Sequence, residues 1–216
     1  HRRLQIFKNS MRNENFINRL FYGLLYSLIV FLILNSNLDS IINIFLLFLM
    51  LGCIFENCIF LKTKKKISIV LMLYILISFY LLYRIQTNFD NILVLFIFFS
   101  CISSDVGGYL IGKIFGKKKI ISFSPLKTLE GYIGSFIFLV LFLYFFKNKF
   151  ESHIQVSYVF VPFIIFFSTT MGDLIVSYSK RMLKIKESGI FLKGHGGFLD
   201  RLDSLILTNY TTFLIT

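Results

Sequence analysis

The sequence predicts an all-α fold, a polytopic transmembrane helical bundle of about seven spans, and three observations predict it. Hydrophobic residues make up 56% of the 216-residue chain and charged residues only 16%, too little polar surface for a water-soluble domain of this length. The apolar residues gather into seven runs, most of them near the roughly 20 residues that a helix needs to cross a bilayer. The basic residues alternate between the segments that join those runs. The third observation is independent of the first two.

The runs are 17–34, 41–61, 67–83, 91–112, 131–147, 156–176 and 204–216. The third is short, the fourth contains Asp105, and the seventh meets the chain end. No small-residue cleavage site follows the first run, so a removable signal peptide is not expected. The chain opens on His1, and its extreme N-terminus carries no weight. The connecting segments are too short for a separate soluble domain, so a single membrane-embedded domain over 1–216 is expected.

Five basic residues precede the first span (Arg2, Arg3, Lys8, Arg12, Arg19), and four follow the second (Lys62, Lys64, Lys65, Lys66). Five follow the fourth (Lys113, Lys117, Lys118, Lys119, Lys127), and six follow the sixth (Lys180, Arg181, Lys184, Lys186, Lys193, Arg201). The alternate segments hold only Arg84, Lys147 and Lys149. Twenty against three predicts that the N-terminus and the two long polar loops face the cytoplasm. The net charge of +12 then reads as topology control and attraction to anionic headgroups, not as a nucleic-acid surface. Cys53, Cys58 and Cys101 sit in apolar runs with no metal-ligand spacing, and read as small buried hydrophobes.

Six of the eleven acidic residues (Asp105, Glu130, Asp173, Glu187, Asp200, Asp203) fall in or beside the loops after spans four and six. A carboxylate at mid-bilayer costs on the order of 2.5–3.5 kcal/mol, so it tends to face a cavity, a cation or a partner. In GHGGFLDRLDS the three-residue spacing puts Asp200 and Asp203 on one face of a helix, able to share a divalent cation. The glycines admit close approach of a phosphate, and Arg201 supplies a guanidinium fork. Metal ligands, backbone donors and fixed positive charge are what phosphoryl transfer needs. Upstream, Ser124, Lys127, Thr128 and Glu130 crowd a short loop as a phosphate and nucleotide contact set. Gly107–Lys113 has Walker A spacing, but Ile114 replaces the required Ser/Thr and no strand precedes it, so it is no P-loop. Gly108, Gly112 and Gly116, four residues apart, read as a close-packing helix face.

These stretches resemble the phosphatidate cytidylyltransferase family. Ser177 to Asp203, SYSKRMLKIKESGIFLKGHGGFLDRLD, is similar to its long signature of Lys-Arg, HGG and D-R-x-D. SPLKTLEG (Ser124 to Gly131) and SDVGGYLIGKIFGK before it resemble two further elements in the family's order, so the similarity covers about the last half of the chain, roughly 100–216. The chain departs from the usual pattern at Glu187 (usually Asp), Lys193 (usually Pro or Gly) and Ser179 (usually apolar). The resemblance implies a multi-pass enzyme of the bacterial inner membrane that joins CTP and phosphatidic acid into CDP-diacylglycerol and pyrophosphate. It further implies Asp173, Asp200 and Asp203 on Mg²⁺, with Asp105 in the same acidic pocket and room for a second cation. Lys127, Lys180, Arg181 and Arg201 would neutralise phosphates, with His195, Lys186, Gly196 and Gly197 beside the triphosphate. A homodimer is compatible with the sequence. Two rivals stay open: a membrane lipid kinase, and a transporter lined with acids.

Overall fold

The computed structural model describes residues 27–36, 38–61, 64–117, 127–183 and 197–216, without the side chains of residues 59, 60 and 90. The N-terminal basic arm, Ser124, Lys186, Glu187, Lys193, His195 and Gly196 lie outside the described residues. The chain divides into two compact units, His1–Ile42 and Asn43–Thr216. In the first, residues 27–34 are helical. That helix closes where Asn35 N–H meets Phe31 O at 2.9 Å and the Ser36 hydroxyl meets Ile33 O at 2.7 Å.

Every regular element among the described residues is helical. They are α1 (Asp39–Phe60), α2 (Lys65–Phe115), α3 (Leu129–Phe145), α4 (Lys147–Phe150) with a 3₁₀ turn (Glu151–His153), α5 (Val161–Met182) and α6 (Phe198–Ile215). Asp39–Cys58, Lys65–Phe89, Asn91–Phe115 and Val161–Met182 are long and apolar enough to cross a membrane. A fifth span is reached if Leu129–Phe145 is joined to the segment Lys147–His153, bent from it by 70°. On α1 the exposed residues Ile44, Leu47, Phe48, Leu51 and Phe55 recur every three or four positions, while Leu46, Leu49 and Cys53 are buried. An apolar stripe facing outward is what a lipid-facing helix presents. Cys58, expected to be buried, is exposed, whereas Cys53 and Cys101 are buried.

The 51 residues of α2 would measure about 76 Å if straight, far more than a hydrocarbon core of about 30 Å. The helix doubles back instead. The Ser78 hydroxyl donates to Ile206 O at 3.0 Å and accepts from Asn209 Nδ2 at 2.8 Å. Cys101 Sγ lies 3.6 Å from the Thr208 hydroxyl. Both halves of α2 therefore meet α6 at one level, and the two apolar spans part at residue 90. This matches the separate third and fourth runs of the sequence. It also brings Lys65 and Phe115 to the same end of the bundle.

The second half of α2 packs antiparallel on α3 through glycines. A Cβ on Gly112 would lie 3.3 Å from the Gly131 Cα, and one on Gly107 would clash with Gly134 O and Phe138. The close-packing face expected at Gly108 and Gly112 is present. Helix α5 starts at Val161, later than the run at 156, because Pro162 is pre-set for the first helical turn.

Helix α6 is the polar heart of the unit. It starts at Phe198, six residues before the apolar run, and buries Ser204, Thr208, Asn209 and Thr212 as well as Leu202, Leu205 and Ile206. Ser168 of α5 donates to Thr211 at 2.8 Å, and Ser78 of α2 joins Asn209. Buried polar side chains need such partners. At its far end Ile215 O accepts Gln155 N–H at 2.8 Å, which sets the Lys147–Ser157 connection opposite the start of α6.

Candidate active site

Helices α5 and α6 approach closely because Gly172 leaves nothing between them: a Cβ there would lie 2.7 Å from Asp203 O. The approach sets Lys180, in the last turn of α5, in an ion pair with Asp200 in the first turn of α6. Both side chains are largely shielded, at 12% and 15% exposure. Lys127, just before α3, forms a second ion pair with Asp173 of α5. The Tyr132 ring lies 5.6 Å from that ammonium, and the Ser177 hydroxyl donates to Asp173 at 3.2 Å.

Asp203, one turn beyond Asp200, is buried, and its Oδ1 accepts Ser204 N–H at 2.8 Å. Asp105 of α2 is solvent-accessible, and the charges of Lys127 and Arg201 act on it. Its own charge acts on Asp203. Arg181 and Arg201 are exposed at the rim. Burial pulls the Lys127 ammonium below its usual range, the carboxylates of Asp203 and Asp105 oppose this, and Lys180 adds to the lowering. An ammonium disfavoured by burial gains from any further anion brought to it.

The structure thus brings Asp105, Lys127, Asp173, Lys180, Asp200, Arg201 and Asp203 to one end of the bundle. Thr128 and Glu130, expected as nucleotide contacts, hold the start of α3 here. Thr128 Oγ1 accepts Gly131 N–H at 3.2 Å as the N-cap, and Glu130 accepts the N–H of Lys117, just beyond the end of α2, at 3.1 Å. Gly197 donates its N–H to Asp200 Oδ2 at 3.3 Å. Among the described residues no three His, Cys, Asp or Glu side chains converge as an ion site; Asp173 and Asp200 each hold a lysine. The donor chemistry nonetheless suits a hard cation, because Asp105 and Asp203 repel one another across the same space.

The sequence reading passed over one residue of this site. Glu56 of α1 is fully buried, and its Oε1 and Oε2 accept the N–H groups of Phe198 and Leu199 at 2.8 and 2.9 Å. These are the first two donors of α6, which no helical carbonyl satisfies. A signal was available: Glu56 is the one acid in the run 41–61, and the desolvation argument applied to Asp105 applies equally to it.

The chain matches the cytidylyltransferase family over residues 3–216. It belongs to that family. It is 35% identical over 146 residues to a phosphatidate cytidylyltransferase of Helicobacter pylori, covering 67% of this chain and 54% of that protein. It is 35% identical over 126 residues to a phosphatidate cytidylyltransferase of Bacillus subtilis, covering 55% and 46%. A Staphylococcus aureus protein of the same name is 39% identical over 118 residues, covering 52% and 44%. The chain spans about half the length of the curated relatives it matches. In this member of the cytidylyltransferase family, the two most family-like stretches meet in space: Lys127 comes from the first, and Lys180, Asp200 and Asp203 come from the second.

Proposed function

We propose that this protein transfers the cytidylyl group of CTP to phosphatidic acid, giving CDP-diacylglycerol and pyrophosphate. The observation that carries the reading is the pairing of Lys127 with Asp173 and of Lys180 with Asp200 at one end of the bundle. It places a mixed lattice of cations and carboxylates where apolar helices end, so a lipid headgroup and a nucleotide can meet. The family and the names of the relatives support the same choice.

A phosphate oxygen of phosphatidic acid attacks the α-phosphorus of CTP, and the bond from that phosphorus to the bridging oxygen of the β-phosphate breaks. The nucleophile is already anionic, so no strong base is required. The protein's task is to hold two polyanions together and in line. Lys127 and Lys180 exchange their carboxylate partners for phosphate oxygens, with Arg181 and Arg201 at the rim. With those partners exchanged, Asp173 and Asp200 would be available, together with Asp105 and Asp203, to hold Mg²⁺, which would neutralise phosphate charge when bound. Incubation with CTP labelled at the α- or γ-phosphate, phosphatidic acid and Mg²⁺ tests the reading. The α-label is expected in lipid and the γ-label in pyrophosphate, in equal amounts. A γ-label in lipid would mean a lipid kinase.

The proposed setting is the bacterial inner membrane, with seven spans and the site facing the cytoplasm. Two features support it: the alternation of basic segments, and the placement of Lys65 and Lys180 toward one end while Lys147 lies toward the other. In a background without the native cysteines, single cysteines replacing Asn37 or Ser152 are expected to label from the periplasm of intact cells. One replacing Lys65 is expected to be protected. Periplasmic labelling at Lys65 overturns the orientation.

A further inference from the structure

We infer that Glu56 is a positioning residue: its buried carboxylate, held on α1, sets the start of α6 so that Asp200 and Asp203 face Lys180 and Lys127. This rests on the reaction proposed above. Glu56 reaches across 142 residues of sequence to bind Phe198 N–H and Leu199 N–H, one with each oxygen. Asp200 and Asp203 follow within the next five residues. Two oxygens on two successive amides fix the helix start in direction as well as in place, because neither bond can rotate about the other.

Three further contacts show that this end is built around the carboxylate. Gly197 has ordinary backbone angles, φ −105° and ψ −177°, so its lack of a side chain is not a matter of conformation. A Cβ there would collide with the Glu56 carboxyl group, whose carbon would be 2.6 Å away. Gly52, one turn before Glu56, leaves room for the Phe198 ring, which a Cβ would meet at 2.8 Å. Beside Glu56, Asn57 and Ser68 lock α1 to α2: Asn57 Nδ2 donates to Ser68 O at 2.8 Å, and the Ser68 hydroxyl donates to Asn57 O at 2.9 Å. The residue next to Glu56 is therefore tied directly to α2.

The arrangement has a consequence for binding. The first amides of a helix ordinarily attract phosphate, but here a carboxylate occupies two of them and Asp200 takes the Gly197 amide. Phosphates are left to the side chains beside the helix, Lys180 from α5 and Lys127 from just before α3. Glu56 both orders the helix and closes a competing anion site at its tip.

The test compares the wild type with Glu56→Gln, which keeps the shape but has one acceptor oxygen, and with Gly197→Ala, which leaves Glu56 intact and crowds it. Each is measured for kcat, for KM of CTP, and for deuterium uptake of the peptide covering 197–203. The expected result is a kcat lower by about 10- to 100-fold, the usual scale for an outer residue that orients a site. In Glu56→Gln the KM for CTP stays nearly unchanged, and in both variants faster uptake is confined to that peptide. Because both changes disturb one contact, the double variant is expected to be no worse than the poorer single. Wild-type kcat in either single variant overturns the inference. So does a fall in kcat without local uptake, or with uptake raised throughout the protein. If Glu56→Gln does not fold, Gly197→Ala decides alone by the same criteria. A wild-type protein that forms no CDP-diacylglycerol refutes the reaction instead, and faster uptake at 197–203 in the variants would still uphold the cap.

Discussion

Asp200→Asn and Asp203→Asn are each expected to lower turnover by on the order of 100-fold or more, the scale seen when one pre-placed polar group is removed from an active site. Both variants are expected to insert and fold, Asp200→Asn with a lower melting temperature because it strands Lys180. Asp203 accepts Ser204 N–H through Oδ1, and an amide oxygen can keep that bond at nearly the same volume. Each change removes one negative charge from the acids, Asp105, Asp200 and Asp203, that face the lysine cluster. If those acids hold Mg²⁺, the variants should need more of the ion for whatever rate survives. Initial rates against Mg²⁺ concentration, with extracted yield as the folding control, make the measurement. Near-normal rates at unchanged Mg²⁺ demand in both variants would leave the acids as solubilisers of a helix end.

Much of this was legible because a membrane makes charge expensive. Asp105, Asp173, Asp200 and Asp203 stood out against apolar runs, and the structure gathers all four at one end. The fold was legible for the same reason: apolar run length and basic alternation locate α1, both halves of α2, and α3. What hydropathy averaged away was the polar face of α6. Ser204, Thr208, Asn209 and Thr212 lie in a run that is buried inside the bundle, not against lipid. The apolar run begins six residues after the helix because Asp200, Arg201 and Asp203 fill its first turns. Glu56 was hidden by the opposite error. It lies within a run apolar enough to be read as a plain span, and its partners are backbone amides 142 residues away, which no local pattern can announce. Thr128 and Glu130 show a third limit. A cap at a helix start uses the same residue types as a phosphate contact, so their sequence does not separate the bracing of α3 that the structure shows from the nucleotide contact expected of them.

The Lys180–Asp200 pair gives the test that separates folding from chemistry. Both side chains are largely shielded, so removing one partner strands a charge, at a cost of about 3–5 kcal/mol for a buried pair. Lys180→Met and Asp200→Asn are therefore each expected to lower the melting temperature in detergent. The double variant strands nothing. Replacing a whole buried pair by neutral groups is often close to neutral for stability, so most of the lost melting temperature should return. Turnover should not return with it. In the proposed reaction Lys180 leaves Asp200 for a phosphate oxygen, and each group then has its own task, one on the nucleotide and one on the cation. A double variant with both restored stability and restored turnover would show that the pair only holds α5 to α6. A double variant stable but slow, by roughly the 100-fold expected for either group alone, places both groups in the chemistry.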